Sequence, residues 1–331
     1  MLRRFIVPSL VAFVLLGIVF IVGGASAFFL ASILVVLEVT LSFDNAVVNA
    51  KVLARMNEVW RRRFLTWGIL IAVFGTRLVL PVLIVAASVF MAPWDVAILA
   101  VTDTESYKHL LEGSRVVISA FGAAFLMMVS LKYFFNHAKE IHWIEVIERR
   151  LSRWGRIEAV EIALALLSLV SITLLVPEFR GAILVAGIIG IVLFVVMEGV
   201  ANSLDVSVAS AAASGLTLFL YLNVLDSAFS LDGVIGAFAL STDLLVIAVG
   251  LGVGAYFVRS MTLYLVEART LSRIVYLEHG AHYAILGLAV CMLLSIVVHV
   301  PELIIGCIGL LFVVLSYLSS RKEAKRVVTS L

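Results

Sequence analysis

The sequence predicts an all-α polytopic membrane protein of about ten transmembrane helices, built as a 5+5 repeat of inverted topology. Three observations predict it. Apolar runs near 20 residues alternate with short polar clusters; Lys and Arg collect on alternate connections; and one acidic motif occurs twice, five spans apart. The chain has 331 residues, of which 63% are hydrophobic and 14% charged, with mean hydropathy +1.18. A soluble domain of that length needs far more charge on its surface. Runs of this length match a helix crossing the hydrocarbon layer, and they lack the alternation of barrel strands.

The spans are placed at 5–22, 26–50, 64–90, 114–136, 159–176, 181–201, 216–240, 243–264, 279–298 and 303–319. Gly23-Gly24, Pro177–Arg180 and His299–Glu302 read as tight turns. Residues 1–176 form the first repeat and 177–331 the second, inverted one. Arg3 and Arg4, the apolar stretch and Ala25-Ser26-Ala27 resemble a signal peptide. The apolar stretch is too long for a signal core, so it is expected to stay as the first span.

Of the 24 basic residues, 18 fall on the connections that face inward when the N-terminus is cytoplasmic. Only Lys108 and Arg180 fall outside, which puts both termini in the cytoplasm of an inner-membrane, multi-pass protein. The acidic stretch 91–112 is then an outer loop. Trp60, Trp67, Trp94, Trp143 and Trp154 all fall near span ends. The inner segment 139–157 sets Ile141, Ile144, Ile147, Leu151 and Trp154 at helical spacing, as a surface helix would. Cys291 and Cys307 have no ligand spacing and read as small buried hydrophobes. The formal net charge of +2 gives no nucleic-acid footprint; the partners expected are the lipid bilayer and a divalent metal ion.

Span two carries Glu38, Ser42, Asp44 and Asn45; span seven carries Asp226, Ser230, Asp232 and Gly233. Both read acid, three residues, Ser, apolar, Asp, small residue, at a constant offset. An acid inside a membrane helix is costly, roughly 3 kcal/mol on insertion scales. Chance repetition of the set is therefore improbable. Because the offset is five spans, the motif helices cross the membrane in opposite senses, as in many secondary transporters. On an unbroken helix Glu38 and Asp44 lie ~9 Å apart along the axis and about 120° apart in rotation. Helix breaks at Ser42–Asn45 and Ser230–Gly233 are expected to turn both acids of each motif toward one site.

Glu38, Asp44, Asp226 and Asp232, supported by Ser42, Asn45, Asn223 and Ser230, offer oxygen ligands alone. That chemistry suits Mg2+, Mn2+ or Ca2+ and disfavours Zn2+ and Cu+. No other cofactor is expected. Arg77 and Arg259, both inside spans, either balance the site's charge or lock helices together; Lys132 is a further locking candidate. Glu198 is a lone acid near an inner helix end. His279 and His282 share a helical face and are candidates for gating. Asn49 and Lys51 stand at the inner mouth of the first motif, and Gly250 and Gly254 read as close helix packing.

At Leu41–Asn45 and Phe229–Gly233 the chain resembles the TerC family of membrane proteins, and within it an uncharacterised branch of unknown function. Residues 36–51, 122–150 and 276–286 add to the likeness, which spans about 26–320. The resemblance implies a LysE-like transporter fold, a link to tellurite resistance, manganese export, and Glu38, Asp44, Asp226 and Asp232 as metal-site acids. Gly233 departs from the Ser more familiar at that position, and the segment 139–157 and the His279–His282 pair are branch-specific. The expected function is export of Mn2+ or a similar hard divalent cation, with proton coupling as a possible partner step. A cationic amino-acid exporter and a non-transporting scaffold for metal or tellurite resistance are the alternatives. No enzyme activity is expected: Asp44 and Asp232 lack the Gly-x-Gly-Asp setting of an intramembrane protease.

Overall fold

The computed structural model describes residues 3–329, apart from 138, 156, 158, 207–210, 242, 268–273 and 299. Some helical side chains also lie outside the description, including those of Asp44 and Asp232. Every regular element among the described residues is helical, and fourteen are α-helices. Five of the helical stretches are long and apolar enough to cross a membrane: Phe5–Thr40, Arg115–Phe134, Pro177–Gly199, Leu244–Val266 and Leu277–Leu294. A sixth is added if Phe74–Val89 and Pro93–Thr102, bent by 118°, count together. The chain is a multi-pass membrane protein by helix length and hydropathy.

The difference from ten spans has local causes. Helix α1 runs Arg3–Leu41 and holds both of the first two predicted spans. Gly24 interrupts it at φ 74° and ψ −169°, a backbone state open essentially to glycine. The expected turn at Gly23-Gly24 lies within it, with the Phe20 and Phe28 rings 6.0 Å apart across it. Helix α2 (Phe43–Arg55) completes the second predicted span after a single non-helical residue. The third predicted span is cut into α3 (Glu58–Leu70), a π-helical stretch Ile71–Val79, and α4 (Leu80–Val89). Pro81 lies at the start of α4, where its missing N–H ends the regular hydrogen-bond ladder.

The acidic outer stretch expected as loop forms α5 (Pro93–Thr102) and α6 (Thr104–Gly113). Asp103 caps α6 by accepting from the Ser106 amide at 3.1 Å. The two helices bury Val96, Ala100, Tyr107 and Leu111, and this apolar face outweighs the polar composition that suggested loop.

The remaining helices are α7 (Arg115–Phe134), α8 (Glu145–Trp154), α9 (Val160–Leu175), α10 (Arg180–Val206), α11 (Ala211–Leu240), α12 (Leu244–Glu267), α13 (Leu277–Leu294) and α14 (Glu302–Thr329). Helix α1 packs along α12, while α7 lies between α10 and α13, with α14 behind α13. Apolar side chains such as Phe13, Ile21, Leu174 and Val185 face outward, as lipid-facing surfaces require. Cys291 is buried, but Cys307 is exposed on α14, contrary to expectation. Trp60 also turns inward, its ring 5.7 Å from that of Phe219, because Leu218 and Leu222 offer it a packed site.

Helices without a hydrophobic drive between them in lipid associate by close packing of small residues. Gly190 on α10 shows how close: a Cβ there would lie 2.5 Å from the Phe121 carbonyl oxygen of α7. Because the obstacle is backbone, Gly190→Ala is expected to destabilise by about 2 kcal/mol. Thermal unfolding of the detergent-solubilised protein checks this, with Gly181→Ala, which meets open space, as the control.

Candidate functional site

Glu38 sits in the last turn of α1 and is 2% exposed. Ser42, at φ −98° and ψ 13°, separates α1 from α2. The amide ladder carries on across it, with Ser42 N to Glu38 O at 3.0 Å and Ala46 N to Ser42 O at 3.1 Å. The expected break at the first motif is therefore a one-residue bend. The Ser42 hydroxyl donates to Glu38 Oε1 at 3.2 Å, and the Arg77 guanidinium donates to the same oxygen. Arg77 comes from the π-helical stretch, a feature common at functional sites. Its Nη1 donates to the Ala72 carbonyl at 2.7 Å, five residues back.

Asp226 lies mid-way along α11 and is also buried. Its Oδ2 accepts from Arg259 Nη2 at 3.3 Å, and its Oδ1 accepts from Asn45 Nδ2 at 2.8 Å. Arg259 reaches on to the Phe64 carbonyl at 3.0 Å, with its guanidinium 4.0 Å from the Phe64 ring centroid. Gly68 makes room, since a Cβ there would meet Arg259 Nη1 at 2.3 Å. Each motif's first acid thus takes an arginine from a later segment, and Asn45 joins one motif directly to the other.

The second expected break is absent: α11 runs unbroken through Ser230–Gly233. Gly233 has another role there. A Cβ at Gly233 would lie 3.2 Å from Glu38 Oε2, so the missing side chain lets α11 approach the first motif. Gly254 does the same from α12, where a Cβ would fall 2.5 Å from Glu38 Cβ. The contacts Glu38 to Gly233 and Asn45 to Asp226 step forward along one segment and backward along the other. The motif segments therefore pass each other in opposite directions.

The full motif set with its arginines carries four carboxylates against two guanidiniums, a formal −2. Among the described residues no three Asp, Glu, His or Cys side chains gather as a metal site. The two further motif acids, Asp44 and Asp232, lie outside the described side chains. Asn49 Oδ1, Asn223 Oδ1 and Ser230 Oγ are buried oxygens with no hydrogen-bond partner among the described residues. Ser230 differs here from its counterpart Ser42, because Asn45 has taken its place on Asp226.

A cavity of about 550 Å³ opens beside the motifs, lined by Lys51 and Arg55 of α2, Lys132 of α7, Glu198 of α10, and Glu278 and His282 of α13. Lys132 bridges Glu161 and Glu198 at 3.3 Å each, rather than pairing with a motif acid. Lys51 pairs with Glu278. His279 and His282, grouped on one face by spacing, go separate ways. His282 stacks on Tyr133 at 3.7 Å between centroids, and its Nδ1 bonds the Glu278 carbonyl. His279 Nδ1 instead meets Glu148 Oε2 at 2.9 Å.

Glu148 is the residue the sequence reading missed. It is 0% exposed, on a helix outside the spans. Lys139 Nζ lies 2.8 Å from it, and the amides of Trp143 and Ile144 donate to it at 3.2 Å. This cluster turns Glu148 inward and leaves Ile141, Ile147 and Trp154 exposed on the outer side, where a helix lying on a membrane surface would carry its apolar residues. A lone Glu one turn from Ile144 and Leu151 was the available signal. Burial pushes the Glu148 carboxyl up, but the hydrogen bonds and charges of His279 and Lys139 outweigh it and bring it to about 2.

A family model described as "Protein of unknown function (DUF475)" matches residues 43–327. The chain belongs to that family. The match takes in Asp44, Asn45 and the whole second motif, and begins five residues after Glu38. Comparison with curated proteins and with solved structures gives no match.

Two predictions come from this family member's buried charges. Removing Arg77 alone leaves Glu38 buried and unpaired, so Arg77→Met should cost roughly 3–5 kcal/mol, and adding Glu38→Gln should restore most of it. Thermal unfolding of single and double variants tests this. Glu148, with its carboxyl lowered from 4.5, contributes stability that is present above that value and lost as pH falls toward about 2. Glu148→Gln should remove that acid-dependent part, read as unfolding midpoint against pH.

Proposed function

We propose that this protein is a secondary transporter that moves a hard divalent cation, Mn2+ by preference, out of the cytoplasm through a site between its two acidic motifs. The observation that carries the reading is the Asn45–Asp226 hydrogen bond at 2.8 Å, which joins the two motifs through residues 181 apart in the chain. Buried acids that merely lock neighbouring helices have no need of a duplicated motif on the partner.

Charge supports the cargo. Arg77 pairs with Glu38 and Arg259 with Asp226, and the four motif acids with these two arginines sum to a formal −2. One divalent cation or two protons neutralises it, which gives a metal–proton exchange without net charge left in the low-dielectric core. The oxygen-only donor set, including Ser42, Asn45, Asn223 and Ser230, selects hard ions. The opposed direction of the two motif segments supports a ten-span, 5+5 inverted repeat with both termini cytoplasmic. The likeness to TerC proteins at both motifs favours Mn2+ among the hard ions.

One observation favours a second reading, a non-transporting membrane scaffold: both described motif acids already hold an arginine. Flux separates the two. Purified protein in proteoliposomes is expected to move Mn2+. Asp44→Asn and Asp232→Asn should each lower that flux by about tenfold or more, the loss of one charged ligand, while the protein stays folded by size-exclusion and melting. Equal flux in wild type and both variants would reject transport through this site.

A further inference from the structure

We propose that the side-chain amide oxygens of Asn49 and Asn223 form a neutral ligand pair for the cation between the 550 Å³ cavity and the acidic motifs. The proposal rests on the transport reading and names two residues of its path.

Both side chains are more than nine-tenths buried, at 2% and 7% exposure, and in both the oxygen has no partner among the described residues. The Asn223 amide nitrogen donates to the Phe219 carbonyl at 2.7 Å, which orients its oxygen away from its own helix turn. An unpaired buried amide oxygen is expensive to keep, and two on facing helices call for a reason.

Register sets them opposite each other. Contacts of the first motif segment with α11 run from Glu38 at the end of α1 to Gly233, then from Asn45 of α2 to Asp226, then Leu53 of α2 in one apolar cluster with Leu218 and Leu222. Asn49 is one helical turn past Asn45, and Asn223 one turn before Asp226, so each shares its neighbour's face. The pair falls between the inter-motif hydrogen bond and the stretch where Val48, Lys51, Leu218 and Tyr221 line the cavity. A cation passing from one to the other crosses this level.

Neutral oxygens suit such a position. A carboxylate there would hold the ion too firmly, whereas amide oxygens replace hydration while letting it move on. The cavity wall sets Lys51, Arg55 and Lys132 against Glu161, Glu198 and Glu278, so no net charge at the wall opposes a cation.

The test uses full-length protein with Mn2+ as the probe. Flux is measured in proteoliposomes, and equilibrium Mn2+ binding in detergent by paramagnetic resonance. Asn49→Leu and Asn223→Leu are each expected to lower flux by about tenfold or more, the weight of one lost oxygen ligand, while Mn2+ binding that depends on Asp44 persists. Wild-type flux in both variants overturns the proposal and leaves the transport reading standing. Absence of Mn2+ flux in the wild type overturns both. If a leucine variant does not fold, Asn49→Asp and Asn223→Asp take its place: the added charge should tighten Mn2+ binding by about tenfold, and unchanged affinity overturns the proposal.

Discussion

A charge taken out of water must find its opposite or stay neutral, and in a membrane interior that demand is at its strictest. Glu38 with Arg77, Asp226 with Arg259, and Glu148 with Lys139 and His279 are three answers to it. Each ties segments that are distant in sequence. The first two hold α1, α11, α12 and the π-helical stretch around a common point; the third pins the short helix α8 against α13.

Glycine makes these pairings reachable. Gly68, Gly233 and Gly254 each remove a Cβ that would otherwise fall on Arg259 or Glu38. Gly190 brings α10 onto the backbone of α7 in the same way. Small residues therefore do two jobs: they supply the close approach that lipid-embedded helices need, and they leave space for buried polar atoms. The π-helical turn adds a third device, carrying Arg77 to a position that a regular helix from Glu58 would not give it.

Much of this was readable beforehand. The duplicated Glu38/Asp226 pattern predicted meeting motifs, and Gly250 and Gly254 predicted close helix packing, which the structure places against α1. Other expectations failed for identifiable reasons. Ser230–Gly233 looked like a helix end, yet Gly233 serves interhelical contact and α11 stays whole. Residues 91–112 looked like loop because their acids mask an apolar stripe through Val96, Ala100, Tyr107 and Leu111. In each case a residue type has two uses, and spacing alone does not choose between them.

From the sequence alone came the membrane class and the acidic repeat, because hydropathy and motif spacing are properties of the chain in one dimension. Tertiary structure decided which arginine meets which acid, that Asn45 reaches across to Asp226, that Lys132 serves Glu161 and Glu198, and that Glu148 is buried. Those pairings depend on helix rotation and approach distance, which many side chains set together and no local pattern encodes.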